Sequence, residues 1–282
     1  MLLKRPRTLL TAIYRVYEQS GFSMAGAVAF SLLLSLFPFF IFLGALASVL
    51  GGRELAASAV ALLFQYLPGP VAQGLAGEIE AVVGRSRIDL LTVSAGIALF
   101  FATSAIETFR AALNVAYRVT EKRPYPLSLL ISMLFVLATA IVTLVLTWAA
   151  VVGPSMAKRL EPLTFGFLLD SSWGSAIARW ALAAVVVALQ LFAYHLWLAA
   201  GRRRLADVWP GVLLSMVLYA VMVGGYSYYL DLSDYTRFYA GLSQLMIALI
   251  FFQATAIIVL LGAELNRGIM ELRRLDKPGD AA

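Results

Sequence analysis

The sequence predicts an all-α integral membrane protein of six transmembrane helices, with amphipathic interfacial helices at the N-terminus and in the first outer loop. Three observations predict it. The 282 residues are 61% hydrophobic and only 13% charged, with a mean hydropathy of +0.86, whereas a soluble domain carries roughly 45–50% apolar and about 25% charged residues. The apolar residues come in six long runs without the period-two alternation of a barrel strand. The basic residues collect on alternate connections. About 20 residues of helix cross ~30 Å of hydrocarbon, and a helix satisfies its own backbone while doing so.

The six runs are about 25–51, 90–106, 127–152, 180–200, 208–230 and 240–263, in a single membrane domain covering 1–282. The basic start, Lys4-Arg5-Pro6-Arg7, precedes an apolar stretch too long and too late for a cleavable signal, so the first span is read as uncleaved. Segments 1–24, 107–126, 201–207 and 264–282 hold 15 of the 22 Lys and Arg, with the densest group, Arg202-Arg203-Arg204, in a very short loop. The positive-inside rule therefore places both termini in the cytoplasm. Trp148, Trp173, Trp180, Trp197 and Trp209 fall at span ends, and Tyr226, Tyr228 and Tyr229 mark the outer end of span five, as an aromatic belt.

Residues 7–20 put Leu9, Ile13, Val16 and Tyr17 on one face and predict a helix lying on the cytoplasmic surface. The outer segment 53–88 reads as two short amphipathic helices broken at Pro68-Gly69-Pro70. Residues 276–282 read as a disordered tail. With no cysteine and a single histidine, His195, thiol chemistry and a His-rich metal site are excluded. Catalytic residues, cofactors and metals are expected to be none. The +6 formal charge points to anionic lipid headgroups at the cytoplasmic leaflet, not to nucleic acid.

Four local patterns follow one another along the chain: AVAFSLLLSLFPFFIFL from Ala27 to Leu43; Ala111-Ala112-Leu113-Asn114-Val115-Ala116-Tyr117; Trp209-Pro210-Gly211; and Tyr239-Ala240-Gly241 followed by Leu261-Gly262-Ala263-Glu264-Leu265-Asn266. Together they resemble one family, the YihY / virulence factor BrkB-like inner-membrane proteins. Phe100 and Phe101 stand where the family often has a tryptophan, and Phe251 and Gln253 where it often has Trp and Tyr. The resemblance implies a six-span bacterial inner-membrane protein. The activities suggested for the family are envelope lipid or lipopolysaccharide handling, resistance to serum killing and an old ribonuclease label.

Thr103, Glu107, Arg110 and Asn114 lie at offsets of 4, 3 and 4 and share one helix face at the inner end of span two. Arg110 is expected to line a pocket reached from the inner leaflet, its planar fork suited to phosphate; the alternative is a helix-end ion pair with Glu107. Ser35 and Pro38 add a polar, kinked stretch of span one. Gln253 lies mid-membrane in span six and serves either a pathway or interhelical packing. Gln190 and His195 share that ambiguity, and Tyr239 belongs to an outer link that gates the protein or is a tight turn. The reading favours a transporter or export factor for an anionic amphiphilic envelope molecule, such as a phospholipid or lipopolysaccharide precursor. The alternative is a non-catalytic structural or assembly partner in an envelope complex, as a homo-oligomer or with another chain. A membrane hydrolase or ribonuclease is the weakest reading, since metal-dependent hydrolysis needs clustered His and carboxylate ligands.

Overall fold

The computed structural model describes residues 21–36, 39, 42, 58, 61, 88–160, 172–232 and 243–275. The expectations for residues 7–20, most of 53–88, the tail 276–282, Pro38 and Tyr239 fall outside these residues. Among the described residues the regular structure is entirely helical. The helices are α1 (Gly21–Leu36), α2 (Ile88–Tyr117), α3 (Tyr125–Leu160), α4 (Ser172–Ala193), α5 (Leu205–Leu232) and α6 (Ser243–Leu275). Tyr125–Val145, Leu205–Tyr226 and Leu245–Arg273 are long and apolar enough to cross a membrane, and Gly21–Leu36 and Ala184–Leu198 are shorter apolar helices.

Helices α5 and α6 form the most extensive pair, and α2 packs against both α3 and α6. Helix α1 joins this centre: Ala25 and Val28 share the buried core with Phe109, Leu113 and Leu260, and the Ser31 hydroxyl donates to Thr108 Oγ1 at 3.1 Å. The outward faces carry exposed Phe30, Leu34, Phe100, Leu134, Leu189 and Val221. Such a coat is unfavourable in water and neutral in hydrocarbon.

Each break in the helices has a local cause. Helix α2 ends at Arg118, whose φ of 54° allows Val119 N–H to bond Asn114 O and Arg118 N–H to bond Val115 O, both at 2.9 Å. This is the Schellman closure, made with arginine where glycine is usual. Helix α4 runs into one π turn, Tyr194–Leu198, closed by Ala199 N–H on Tyr194 O. At the start of α5, Asp207 Oδ2 accepts the Arg204 N–H at 3.3 Å, the reach-back that satisfies an N-cap donor. Three residues on, Pro210 lacks the N–H that would bond the Ala206 carbonyl. Arg273 of α6 takes that carbonyl at 3.2 Å and Asp207 Oδ1 at 2.6 Å.

The helix that holds the sixth apolar run continues beyond residue 263 to Leu275, so Glu264 and Asn266 lie inside a helix and are buried at 2% and 0% exposure. The extension holds because Asn266 and Arg273 find partners on α5. Tyr226 is not in an aromatic belt. It is buried and donates to Ile247 O at 2.6 Å, whereas Tyr228 is exposed.

Candidate functional site

At the end of the bundle where α2 stops and α5 begins, polar side chains form two linked groups. In the first, Arg110 donates through Nη1 to Glu121 Oε2 at 2.6 Å and through Nη2 to Glu107 Oε2. The Ser132 hydroxyl of α3 donates to the other Glu107 oxygen. Asn114 accepts the Ala200 N–H at 2.7 Å and turns its amide nitrogen towards Glu121 at 3.4 Å. Arg123 closes the set, with its N–H on Glu121 Oε1 at 3.2 Å and its guanidinium on Trp197 O at 3.3 Å. Two carboxylates and two guanidinium groups thus balance. Burial alone would raise the Glu121 carboxyl, but the hydrogen bonds from Arg123 and Arg110 and the charges of the same two residues hold it below the usual carboxylate range.

The second group is a buried chain: Gly211 N–H donates to Asn266 Oδ1 at 2.7 Å, Asn266 Nδ2 to the Tyr117 hydroxyl at 3.2 Å, and that hydroxyl lies 2.8 Å from His195 Nδ1. The Arg203 guanidinium sits 3.7 Å from the Tyr117 ring centroid. It also donates to the carbonyls of His195, Ala199 and Ala200 at 3.0, 3.3 and 2.6 Å, supplying donors to a helix end that lacks them. Burial pushes the Tyr117 phenol up to about 12, against the opposing pull of Asn266 and Arg203, so it serves as a hydroxyl. Gly211 and Gly262 make this arrangement possible. A Cβ on Gly211 would lie 2.1 Å from Gly262 O, and one on Gly262 2.3 Å from Ser215 Oγ, so α5 and α6 touch through their backbones.

The predicted face on α2 therefore exists, and it points into the bundle. Glu107, Arg110 and Asn114 meet, and Thr103 is buried one turn away, its hydroxyl spent on Leu99 O at 2.7 Å. Both Nη atoms of Arg110 are held by carboxylates and the residue is 8% exposed, so a phosphate could reach it only by displacing Glu107 or Glu121. Ser35 is apart from the cluster and bonds Leu32 O at 2.9 Å. Gln253 faces α1, its amide nitrogen 3.9 Å from where a Cβ on Gly26 would stand. Glu121, Ser132, Tyr117, Arg203 and Asn266 belong to the cluster but were not among the predicted site residues; His195, read from the sequence as either a pathway or a packing residue, joins them through Tyr117. Asn114, Tyr117, Gly211, Gly262 and Asn266 come from three of the four motifs that carried the family resemblance.

Beside this cluster, helices α1, α2, α4, α5 and α6 enclose a cavity of ≈ 390 Å³. Leu32, Ile106, Phe109, Met216, Phe251 and Phe252 line it, with Gln190, Tyr194, Ser215, Tyr219 and Thr255 as its polar members. Gln190 donates to Tyr194 Oη at 2.6 Å and to Thr139 Oγ1 at 3.1 Å. On the basic end, Arg118, Thr120, Lys122, Arg123 and Gly201 line a second, open hollow.

These features define a helical membrane protein with an interlocked polar end and an apolar interior cavity. The chain belongs to the virulence factor BrkB family, whose model matches residues 12–282. A curated relative, "Putative ribonuclease-like protein YfkH" of Bacillus subtilis (strain 168), is 24% identical over 263 residues, 93% of this chain and 94% of that protein. No solved structure matches.

Proposed function

We propose that this protein is an inner-membrane transporter or export factor for an anionic amphiphilic envelope molecule, a phospholipid or lipopolysaccharide precursor. The observation that carries the reading is the apolar cavity within a bundle coated by exposed apolar side chains, next to a basic face. In this reading all six runs span the membrane and the basic end faces the cytoplasm. Exposed Lys122, Arg202 and Arg204 meet the headgroup at the leaflet surface, where each basic residue contributes about 1 kcal/mol towards an anionic membrane. Arg110, Glu107, Asn114 and Thr103 hold the face in shape beneath them.

A hydrolytic role, as in the relative's name, draws little support from these side chains. Among the described residues no three of His, Cys, Asp or Glu converge as metal ligands, and Glu107 and Glu121 are both engaged by Arg110. The assembly-partner reading keeps one supporting feature, the exposed apolar coat, which suits a neighbouring helix as well as lipid.

Reconstitution tests the proposal. Vesicles of phosphatidylcholine with a minority of labelled phosphatidylglycerol should show protein-dependent movement of the label between leaflets. Labelled phosphatidylcholine should move more slowly, and Lys122→Glu with Arg202→Glu and Arg204→Glu should remove the difference. Equal or absent movement of both lipids overturns the reading.

A further inference from the structure

We infer that the cavity among α1, α2, α4, α5 and α6 receives a single hydrocarbon chain of a membrane lipid, entering sideways past Val187, while the headgroup stays outside. The inference deepens the transport reading and rests on it for its purpose, though not for its geometry. Volume is the first ground. At about 30 Å³ for each water- or methylene-sized group, 390 Å³ holds on the order of a dozen methylenes. That is room for one acyl chain.

The chemistry of the walls is the second ground. Three of the five polar side chains have donors engaged within the walls. Ser215 Oγ donates to Ile258 O at 3.1 Å, Thr255 Oγ1 to Phe251 O at 2.9 Å, and the Gln190 amide to Tyr194 and Thr139. A phosphate or sugar placed there would lose its water and gain few donors, whereas a methylene chain loses nothing. The same poverty of polar partners leaves the space unsuited to ordered water.

The mouth is the third ground. Val187 lines the cavity and is 41% exposed, and Ala184, one turn earlier on the same face of α4, is exposed as well. The cavity is thus continuous with the apolar surface that meets lipid tails. An acyl chain can pass from bilayer to cavity without crossing a polar barrier, and it gains wall contacts that an empty space forfeits.

The test uses the full-length protein in phosphatidylcholine nanodiscs doped with a phosphatidylglycerol, or separately a phosphatidylcholine, bearing a diazirine at one chain end. After irradiation, cross-links to either lipid should map to Met216, Tyr219 or Phe252. Met216→Trp and Ile106→Trp, which fill the space from different helices, should each cut those cross-links at least fivefold while leaving any at Leu189 unchanged; thermal unfolding shows which variants are folded. Cross-links confined to Leu189 and the outer surface, or cavity cross-links unaffected in both folded variants, overturn the inference. Cavity labelling without movement of lipid in vesicles leaves it standing and removes the transport reading. Movement without cavity labelling does the reverse.

Discussion

The Tyr117 hydroxyl lies 2.8 Å from Nδ1 of His195, and Asn266 decides which of the two carries the shared proton. The Asn266 carbonyl oxygen is occupied by Gly211 N–H, so its amide nitrogen faces Tyr117 and donates to the hydroxyl oxygen. The hydroxyl then has its one hydrogen free for His195, whose Nδ1 must accept. Neutral His195 is therefore the Nε2–H tautomer, and that nitrogen has no hydrogen-bond partner among the described residues. Since this is the chain's one histidine, ¹⁵N-histidine labelling gives a single pair of ring signals. They are expected to show an unprotonated Nδ1, with the preference weakened in Tyr117→Phe. A protonated Nδ1 in the wild type would show that Asn266 is oriented the other way.

The contact between α5 and α6 predicts a contrast among glycines. Gly211→Ala or Gly262→Ala must push apart backbones that already touch. Overpacking costs about 1–3 kcal/mol, and the Asn266 bond to Gly211 is strained as well, so both variants should unfold at lower temperature in detergent. Gly268→Ala has nothing within 4 Å of the new Cβ and should be neutral or stabilising by about 0.5–1 kcal/mol. Equal thermal midpoints for Gly211→Ala and Gly268→Ala would remove the close crossing.

Arg110 is expected to behave as a structural cation. Arg110→Ala leaves Glu107 and Glu121 facing each other without their shared donor. Breaking a fully buried pair costs about 3–5 kcal/mol, and these carboxylates, at 19% and 23% exposure, should lose roughly half of that after solvent screening. Arg110→Lys keeps the charge but gives up the planar fork that spans two carboxylates, and should recover only part of the thermal midpoint. A wild-type midpoint in Arg110→Ala would return this residue to the role of a free headgroup ligand.

Acid should weaken the same network. The Glu121 carboxyl is held below its ordinary range. Its contribution is therefore fully present above the unfolded carboxylate value and is lost as pH falls through the folded one. Thermal midpoints measured from pH 7 down to pH 3 should drop, and Glu121→Gln should lower the midpoint at pH 7 while flattening that drop. A slope unchanged in Glu121→Gln would assign the acid sensitivity to other groups.

Orientation is tested with reporter fusions. Those after Arg204 and at Lys277 should read cytoplasmic, and those at Gly69 and Lys158 extracytoplasmic. Reversal at any two sites would invert or break the six-span arrangement.

The helical architecture was legible because its signals are local. Apolar runs between charges mark where each of α2 through α5 lies, although α2 and α3 outrun theirs to Tyr117 and Leu160, and offsets of three and four put Glu107, Arg110 and Asn114 on one face. The direction of that face was not legible, because it depends on Glu121 in a loop and Ser132 on another helix. Helix α6 outran its apolar run for the same reason. Asn266 and Arg273 look like the residues of a solvated end until α5 supplies Gly211, Asp207 and the Ala206 carbonyl. The cavity left no mark in the string of residues, since its walls are the ordinary apolar faces of five helices. Its polar members, Gln190 and Thr255, were visible, but their bonds within the walls were not.

Gly211 and Gly262 also limit how this molecule can move. With main chains in contact near the basic end, α5 and α6 cannot slide or separate there without breaking several bonds together. Towards the other end Gly224 and Gly225 of α5 have nothing within 4 Å of a Cβ position, yet the next residue, Tyr226, holds Ile247 O of α6 at 2.6 Å. The pair is thus pinned twice, by main chain at one end and by a phenol at the other. Any widening of the cavity falls to the walls that carry no such pins, α1 and α4, while α5 and α6 stay together as a fixed post.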